Sequence, residues 1–267
     1  MPKLRIRDFD IYYEVIGEGE PLLFLHGLAC SSASWETQVS MFSEHYQVIT
    51  FDLRGHGQSS KLPGPYSIEM FVADSVELIK SLGLGPAHVV GHSLGGMIGL
   101  QLCIDEPEMV KSLVMANSYF EGHLRTFNDG FESLKQIILV GSRGMQKERQ
   151  ALSRQLLSKQ GRQQLRQAAI QGLAINNKRV YISTFWTLLG WSAMDGLSTI
   201  KCPMLVIASD QDLVPVSVKE KYLSKIPRAE FVVIANSGHS VPAEQAEKFN
   251  AVLMEFLSKH SRMAMTF

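Results

Sequence analysis

Five residues, Gly91-His92-Ser93-Leu94-Gly95, carry the sharpest chemical signal in the chain. They read G-x-S-x-G, with the apolar run His88-Val89-Val90 before them and the apolar stretch from Leu94 to Ile104 after them. A strand that turns at once into a helix strains the residue at the turn and leaves its side chain at the tip. Glycines two residues either side let neighbouring backbone approach without a Cβ clash. The first N–H groups of the helix lack helical partners and suit a developing negative charge. Ser93 is therefore the candidate nucleophile and the Leu94 N–H a candidate oxyanion donor. A phosphate loop, G-x-x-x-x-G-K-[ST], is absent.

A serine hydroxyl attacks poorly until a base takes its proton, and the usual base is a histidine oriented by a carboxylate. Of eight histidines, His239 stands in Asn236-Ser237-Gly238-His239-Ser240, after the last apolar run and before the last helical segment. That is the C-terminal end of a strand, where open parallel sheets place their sites. The acid should fall between Ser93 and His239 in chain order. Two aspartates compete in Ser209-Asp210-Gln211-Asp212-Leu213-Val214-Pro215. Asp212, three residues past Ser209 and 27 before His239, is preferred to Asp210.

These residues need a scaffold, and the hydrophobic pattern supplies one. Leu4, Ile6, Ile11, Tyr13 and Val15 alternate with polar residues as in a hairpin. Leu22–Leu25, Val48–Phe51, His88–Val90, Ser112–Asn117, Met204–Ala208 and Phe231–Ile234 are short apolar runs suited to strands buried on both faces. Helical segments are expected at Trp35–Phe42, Ile68–Leu82, Leu94–Ile104, Val216–Ile226 and Glu244–Leu257. Strand alternating with helix implies an α/β fold with a mostly parallel, doubly wound sheet.

The alternation breaks once, over the 86 residues 118–203. A structureless loop of that length is implausible, so a helical cap is expected there, with 1–117 and 204–267 forming the core. Over 119–198 eleven Lys/Arg face five Asp/Glu, giving the insertion +6. A solvated helix surface explains this, with a functional basic face as the alternative. Among the aromatics of the insertion (Tyr119, Phe120, Phe127, Phe131, Phe185, Trp186, Trp191), four are candidate pocket residues: Phe127, Phe131, Trp186 and Trp191. The competing reading makes them the core of the cap.

Composition narrows the rest. Of 267 residues 45% are hydrophobic and 19% charged, as in a packed globular protein. Lys+Arg and Asp+Glu are 26 each, without the basic excess of a nucleic-acid binder. No apolar run approaches the ~18 residues a membrane span needs. The start lacks a signal-peptide core, and Cys30, Cys103 and Cys202 are odd in number and far apart in sequence. A reduced, cytoplasmic protein is expected. Neither H-E-x-x-H nor a cysteine pair marks a metal site.

In combination these motifs resemble the α/β-hydrolase superfamily. The matching stretches are His26-Gly27-Leu28, Asp52-Leu53-Arg54-Gly55-His56-Gly57-Gln58-Ser59, the Ser93 turn, Ser209–Pro215, and Gly238-His239 with Pro242-Ala243-Glu244-Gln245. The resemblance implies a second oxyanion donor at the Leu28 N–H. It makes His26, His56, Asp52 and Arg54 loop scaffolding. Two departures concern the acid: Ser209 replaces a common glycine, and Pro215 follows Asp212 one residue early. Serine at 93 separates the chain from dehalogenases and epoxide hydrolases, which use aspartate there. Leu62–Glu69 resembles small carboxylesterases and 3-oxoadipate enol-lactonases. The expectation is a cofactor-free serine acyl hydrolase acting on a small or medium, mostly apolar ester or lactone. C–C bond hydrolysis by the same triad, or ligand binding without turnover, are the alternatives.

Overall fold

A computed structural model describes residues 2–122, 157 and 178–261. Its eight strands are β1 (Lys3–Ile6), β2 (Phe9–Ile16), β3 (Pro21–Leu25), β4 (Gln47–Phe51), β5 (Ala87–His92), β6 (Val110–Ala116), β7 (Met204–Ser209) and β8 (Ala229–Ile234). They form one sheet in the order β1-β2-β4-β3-β5-β6-β7-β8. β1 and β2 pair antiparallel, as does β2 with β4, and every other pairing is parallel.

The apolar runs form strands because both faces of the sheet are covered. Leu23, Leu25, Ile49, Phe51, Val89, Leu113 and Met115 point into one core cluster. Their neighbours Leu22, Phe24, Val48, Val90 and Val114 point into the other. Successive strand residues face opposite ways, so a continuous run fills both layers. Each such side chain contributes roughly 1.5–3 kcal/mol on burial. Helices α2 (Ile68–Ser81) and α3 (Leu94–Asp105) supply the first layer, α1 (Glu36–Phe42) and α7 (Ala246–His260) the second. Ser67 caps α2 by accepting from the Met70 N–H at 3.2 Å. The single helix expected over Glu244–Leu257 is two, α6 (Val241–Glu244) and α7, broken where Gln245 leaves helical geometry.

After β6 the alternation stops until β7. The two ends of the interval run antiparallel: Gly122 N–H donates to Trp191 O at 2.7 Å, and Ala193 N–H to Phe120 O at 3.0 Å. Helix α4 (Lys178–Gly190) lies against the loop after β4. Ser183 Oγ accepts from Tyr66 N–H at 3.2 Å, and Thr187 Oγ1 donates to Tyr66 O at 2.8 Å. Phe127, Phe131 and most of the basic residues counted in the insertion lie outside the described residues. Among the described residues no helix is long and apolar enough to cross a membrane, and no group of three metal-capable side chains converges.

The cysteines are unbridged. Cys103 on α3 and Cys202 before β7, 99 positions apart, nevertheless touch with their sulfurs 3.6 Å apart. Cys30 is a packed thiol, its pKa pushed up to about 11 by burial.

Candidate active site

Ser93 sits between β5 and α3 at φ 54°, a left-handed conformation that side chains rarely adopt. The flanking glycines make the turn possible. A Cβ on Gly91 would lie 2.3 Å from Gly95 O, and one on Gly95 would lie 2.0 Å from Leu25 O. At Gly96 it would meet Ser118, whose hydroxyl donates to Ser93 O at 2.6 Å. The strain is thus held by close packing against backbone at Gly91 and Gly95 and against the Ser118 side chain at Gly96.

His239 arrives from the loop between β8 and α6. Its Nε2 stands 2.9 Å from Ser93 Oγ and its Nδ1 2.6 Å from Asp212 Oδ1. The 26 residues between Asp212 and His239 cross β8 and return to the same end of the sheet. Asp210 goes elsewhere: it is exposed and accepts from the Ser237 N–H at 3.2 Å. The early Pro215 caps α5 (Val216–Leu223), and Asp212 also accepts from the Leu213 N–H at 2.7 Å. Burial raises an aspartate's pKa. Here the His239 hydrogen bond and charge, with the Lys219 ammonium, outweigh burial and hold Asp212 below the ordinary carboxylate value.

Three further residues join the site, and sequence reasoning did not assign them. Asn117 directly follows β6, at φ 43°. Its Nδ2 donates to Ser209 Oγ at 2.7 Å, Gly238 O at 3.0 Å and His239 O at 2.9 Å, while its Oδ1 accepts from the Ser209 N–H at 2.9 Å. The serine that replaces the common glycine is therefore bonded into this latch. His92, the variable residue of the turn motif, places Nε2 2.8 Å from His239 O. Burial, then the His239 charge, drive its pKa down to about 3, so Nε2–H is the donor. Lys219 on α5 is buried, its Nζ in direct contact with Asp212 Oδ2 and 3.2 Å from Asn117 Oδ1. A polar residue closing the apolar β6 run was a usable signal for Asn117. Nothing in the sequence separates Lys219 from a solvated helix lysine.

The candidate oxyanion residues are chain neighbours of the turn and of the loop packed on it. Leu94 opens α3 directly after Ser93. Leu28 follows Gly27, where a Cβ would lie 3.4 Å from Ser93 Cβ and 3.2 Å from His92 Nδ1, so the two loops abut. Of the aromatics in the interval, Tyr119 stands near His239, ring centroids 6.5 Å apart. Trp186 is 54% exposed. Trp191 is buried and donates its indole N–H to Gln101 Oε1 at 2.8 Å. Gln101 is eight residues along α3 from Ser93, about 12 Å at 1.5 Å per residue. A hydroxyl, a histidine and a carboxylate in line, facing a helix N-terminus, can carry out nucleophilic acyl transfer.

A second polar cluster stabilises the neighbouring loops. Buried His26 accepts the Leu53 N–H on Nε2 at 3.0 Å and donates from Nδ1 to Gly27 O at 2.8 Å. Asp52 accepts from Ser32 N–H at 2.7 Å and Gln58 N–H at 2.6 Å. His56 donates to Arg54 O at 3.0 Å, and Arg54 forms a two-pronged pair with Asp74. These residues do hold loops, as the resemblance implied.

A model of the alpha/beta hydrolase fold family matches residues 20–246. RutD of Caulobacter segnis, a protein named for carbamate hydrolysis, is 31% identical over 261 residues, covering 92% of this chain and 96% of its own. The (E)-2-((N-methylformamido)methylene)succinate hydrolase of Acinetobacter baylyi is 29% identical over 255 residues, covering 92% and 93%. In structure, the enol-lactonase from Burkholderia xenovorans LB400 superposes with a TM-score of 0.88 at 21% identity, covering 96% of this chain and all of that one. With the sheet order, the turn at Ser93 and the match over 20–246 in agreement, the chain belongs to the α/β-hydrolase fold family.

Proposed function

We propose that the protein is a serine acyl hydrolase that cleaves a small or medium, mostly apolar carboxylic ester or lactone. The observation that carries this reading is the unbroken chain from Ser93 Oγ through both ring nitrogens of His239 to Asp212, at 2.9 and 2.6 Å. His239 takes the Ser93 proton as the hydroxyl attacks the carbonyl carbon. Asp212 keeps the imidazole in the tautomer whose Nε2 accepts, and stabilises the imidazolium without taking its proton. Leu28 and Leu94 N–H groups stabilise the oxyanion. Collapse of the tetrahedral species breaks the C–O bond, and His239 protonates the leaving oxygen. Water activated by His239 then releases the acid from the acyl-enzyme. No cofactor is needed for these steps. Residues 118–203 act as a cap that excludes water and shapes the pocket, a role supported by α4 on the Tyr66 loop and Tyr119 beside His239. Three unbridged thiols suit the reducing cytosol.

A panel of p-nitrophenyl esters of rising chain length, with lactones alongside, tests the reading. Turnover that is abolished by a phosphonate bound to Ser93 is the expected result. No turnover and no label would overturn it. A second reading is favoured by the two relatives, both named for hydrolysis of nitrogen-containing substrates: the same triad cleaves a carbamate or amide. Faster release of amine than of alcohol from matched acyl donors would select it.

A further inference from the structure

Lys219 is the least expected group at the site. Its side chain is 2% exposed, on a helix whose neighbouring positions Glu220 and Lys221 face solvent. Lysine is almost never fully buried unless paired, because desolvating an ammonium is costly. An apolar residue of similar length would fill the space without that cost, so stability alone does not account for the charge. The ammonium reaches His239 by two routes. It contacts Asp212 Oδ2, the oxygen that His239 leaves unused, and it donates to Asn117 Oδ1 at 3.2 Å. Asn117 in turn donates to the backbone oxygens of Gly238 and His239.

On the acyl-hydrolase reading above, we propose that Lys219 is a positioning residue of the triad: it locks the Asp212 carboxylate by its second oxygen and sets how strongly that carboxylate favours the imidazolium of His239. A carboxylate shared between two cations stabilises each less than an unshared one. Removing the Lys219 charge therefore leaves the Asp212 carboxylate to His239 alone. The other titratable groups around this point are few. His92 from β5 has its ring 5.0 Å from that of His239 and is kept neutral by burial. Tyr119, after β6, is held protonated by burial and by the Asp212 charge. Asp210, on the Asp212 loop, turns away to the Ser237 N–H. Lys219 is thus the cation among the described residues placed to tune Asp212 besides His239 itself.

Two substitutions separate charge from hydrogen bonding. Lys219→Gln keeps a donor for Asp212 and removes the charge; Lys219→Met removes both. The acid limb of the kcat/KM profile on p-nitrophenyl acetate should move to higher pH by about half to one unit in both. Lys219→Met should also lose roughly ten-fold in kcat at neutral pH with KM little changed, and Lys219→Gln less. Folded variants with an unmoved or lowered acid limb would overturn the proposal, since a merely structural lysine changes the melting temperature and not the limb. If neither variant folds, ¹⁵N-lysine NMR of the wild type decides. The Lys219 ammonium signal should shift with the same midpoint as the acid limb and stay protonated throughout; a signal indifferent to that step overturns the role. Wild-type turnover and Ser93 labelling are measured first. Their failure would count against the acyl-hydrolase reading, whereas an unmoved limb in an active enzyme counts against Lys219 alone.

Discussion

Two clusters of histidine, aspartate and a cation lie at the C-terminal ends of the parallel strands, and they differ in what the histidine touches. In the loop cluster His26 spends both ring nitrogens on backbone, the Leu53 N–H and the Gly27 carbonyl. Asp52 likewise accepts from backbone, and Arg54 is absorbed by Asp74. At the Ser93 turn both nitrogens of His239 meet side chains, an aspartate on one side and a hydroxyl on the other. An amide N–H on the acceptor nitrogen blocks proton transfer; a serine O–H there invites it. The same residue types therefore make scaffold in one place and, on the proposed acyl-hydrolase reading, a reactive site in the other.

Breaking each cluster should separate rate from stability. The largest effect is expected from Ser93→Ala, which should cost on the order of 10⁴-fold or more in kcat while the melting curve stays near wild type. Near-full turnover in that variant would remove the contrast altogether. Asp212→Asn should lower kcat by about 10²–10⁴-fold by releasing the imidazole tautomer, and Asp210→Asn should be mild. The reverse ranking would transfer the acid role to Asp210.

The loop cluster should answer in the other currency. His26→Ala leaves the buried Leu53 N–H and Gly27 carbonyl without this partner and should cost about 2–4 kcal/mol in denaturant unfolding. The rate per folded molecule should stay within a few-fold of wild type; a collapse of that rate with unchanged stability would erase the distinction. Acid titration sharpens the same point. Burial, then the charge of His26, hold His56 at about 3, well under the ordinary 6.5. The unfolded chain then binds the extra proton first, so this contribution is full above about pH 6.5 and is lost as pH falls toward 3. Thermal melts between pH 7 and 4 should show the decline, and His56→Asn should lessen it, the remainder coming from the other buried histidines His26, His88 and His92.

The smallest effects concern the tryptophans. Trp191→Ala should lower the melting temperature through lost packing and the lost Gln101 hydrogen bond, with the acyl chain-length profile unchanged. Trp186→Ala, at an exposed position, should change that profile by about 1–3 kcal/mol per methylene if it lines the pocket. A changed profile for Trp191→Ala would return it to the pocket, and an unchanged profile for Trp186→Ala would remove Trp186 from it.

Much of this was legible in the residues themselves. Continuous four-residue apolar runs between turn signals suit a sheet covered on both faces, and Leu22–Leu25 dividing between the two core clusters is that physics realised. G-x-S-x-G after a strand announces its turn because only glycine fits where a Cβ would strike backbone at 2.0 Å. Local pattern and chain order thus pointed to the fold class, the turn at Ser93 and His239, and preferred Asp212 to Asp210 without excluding the latter. Tertiary structure alone decided which groups converge from distant segments. Asn117, Lys219 and His92 come from three different elements, and Cys103 meets Cys202 across 99 positions. No local period encodes such meetings: a lysine on a helix reads the same whether it faces water or a carboxylate, until packing chooses the face.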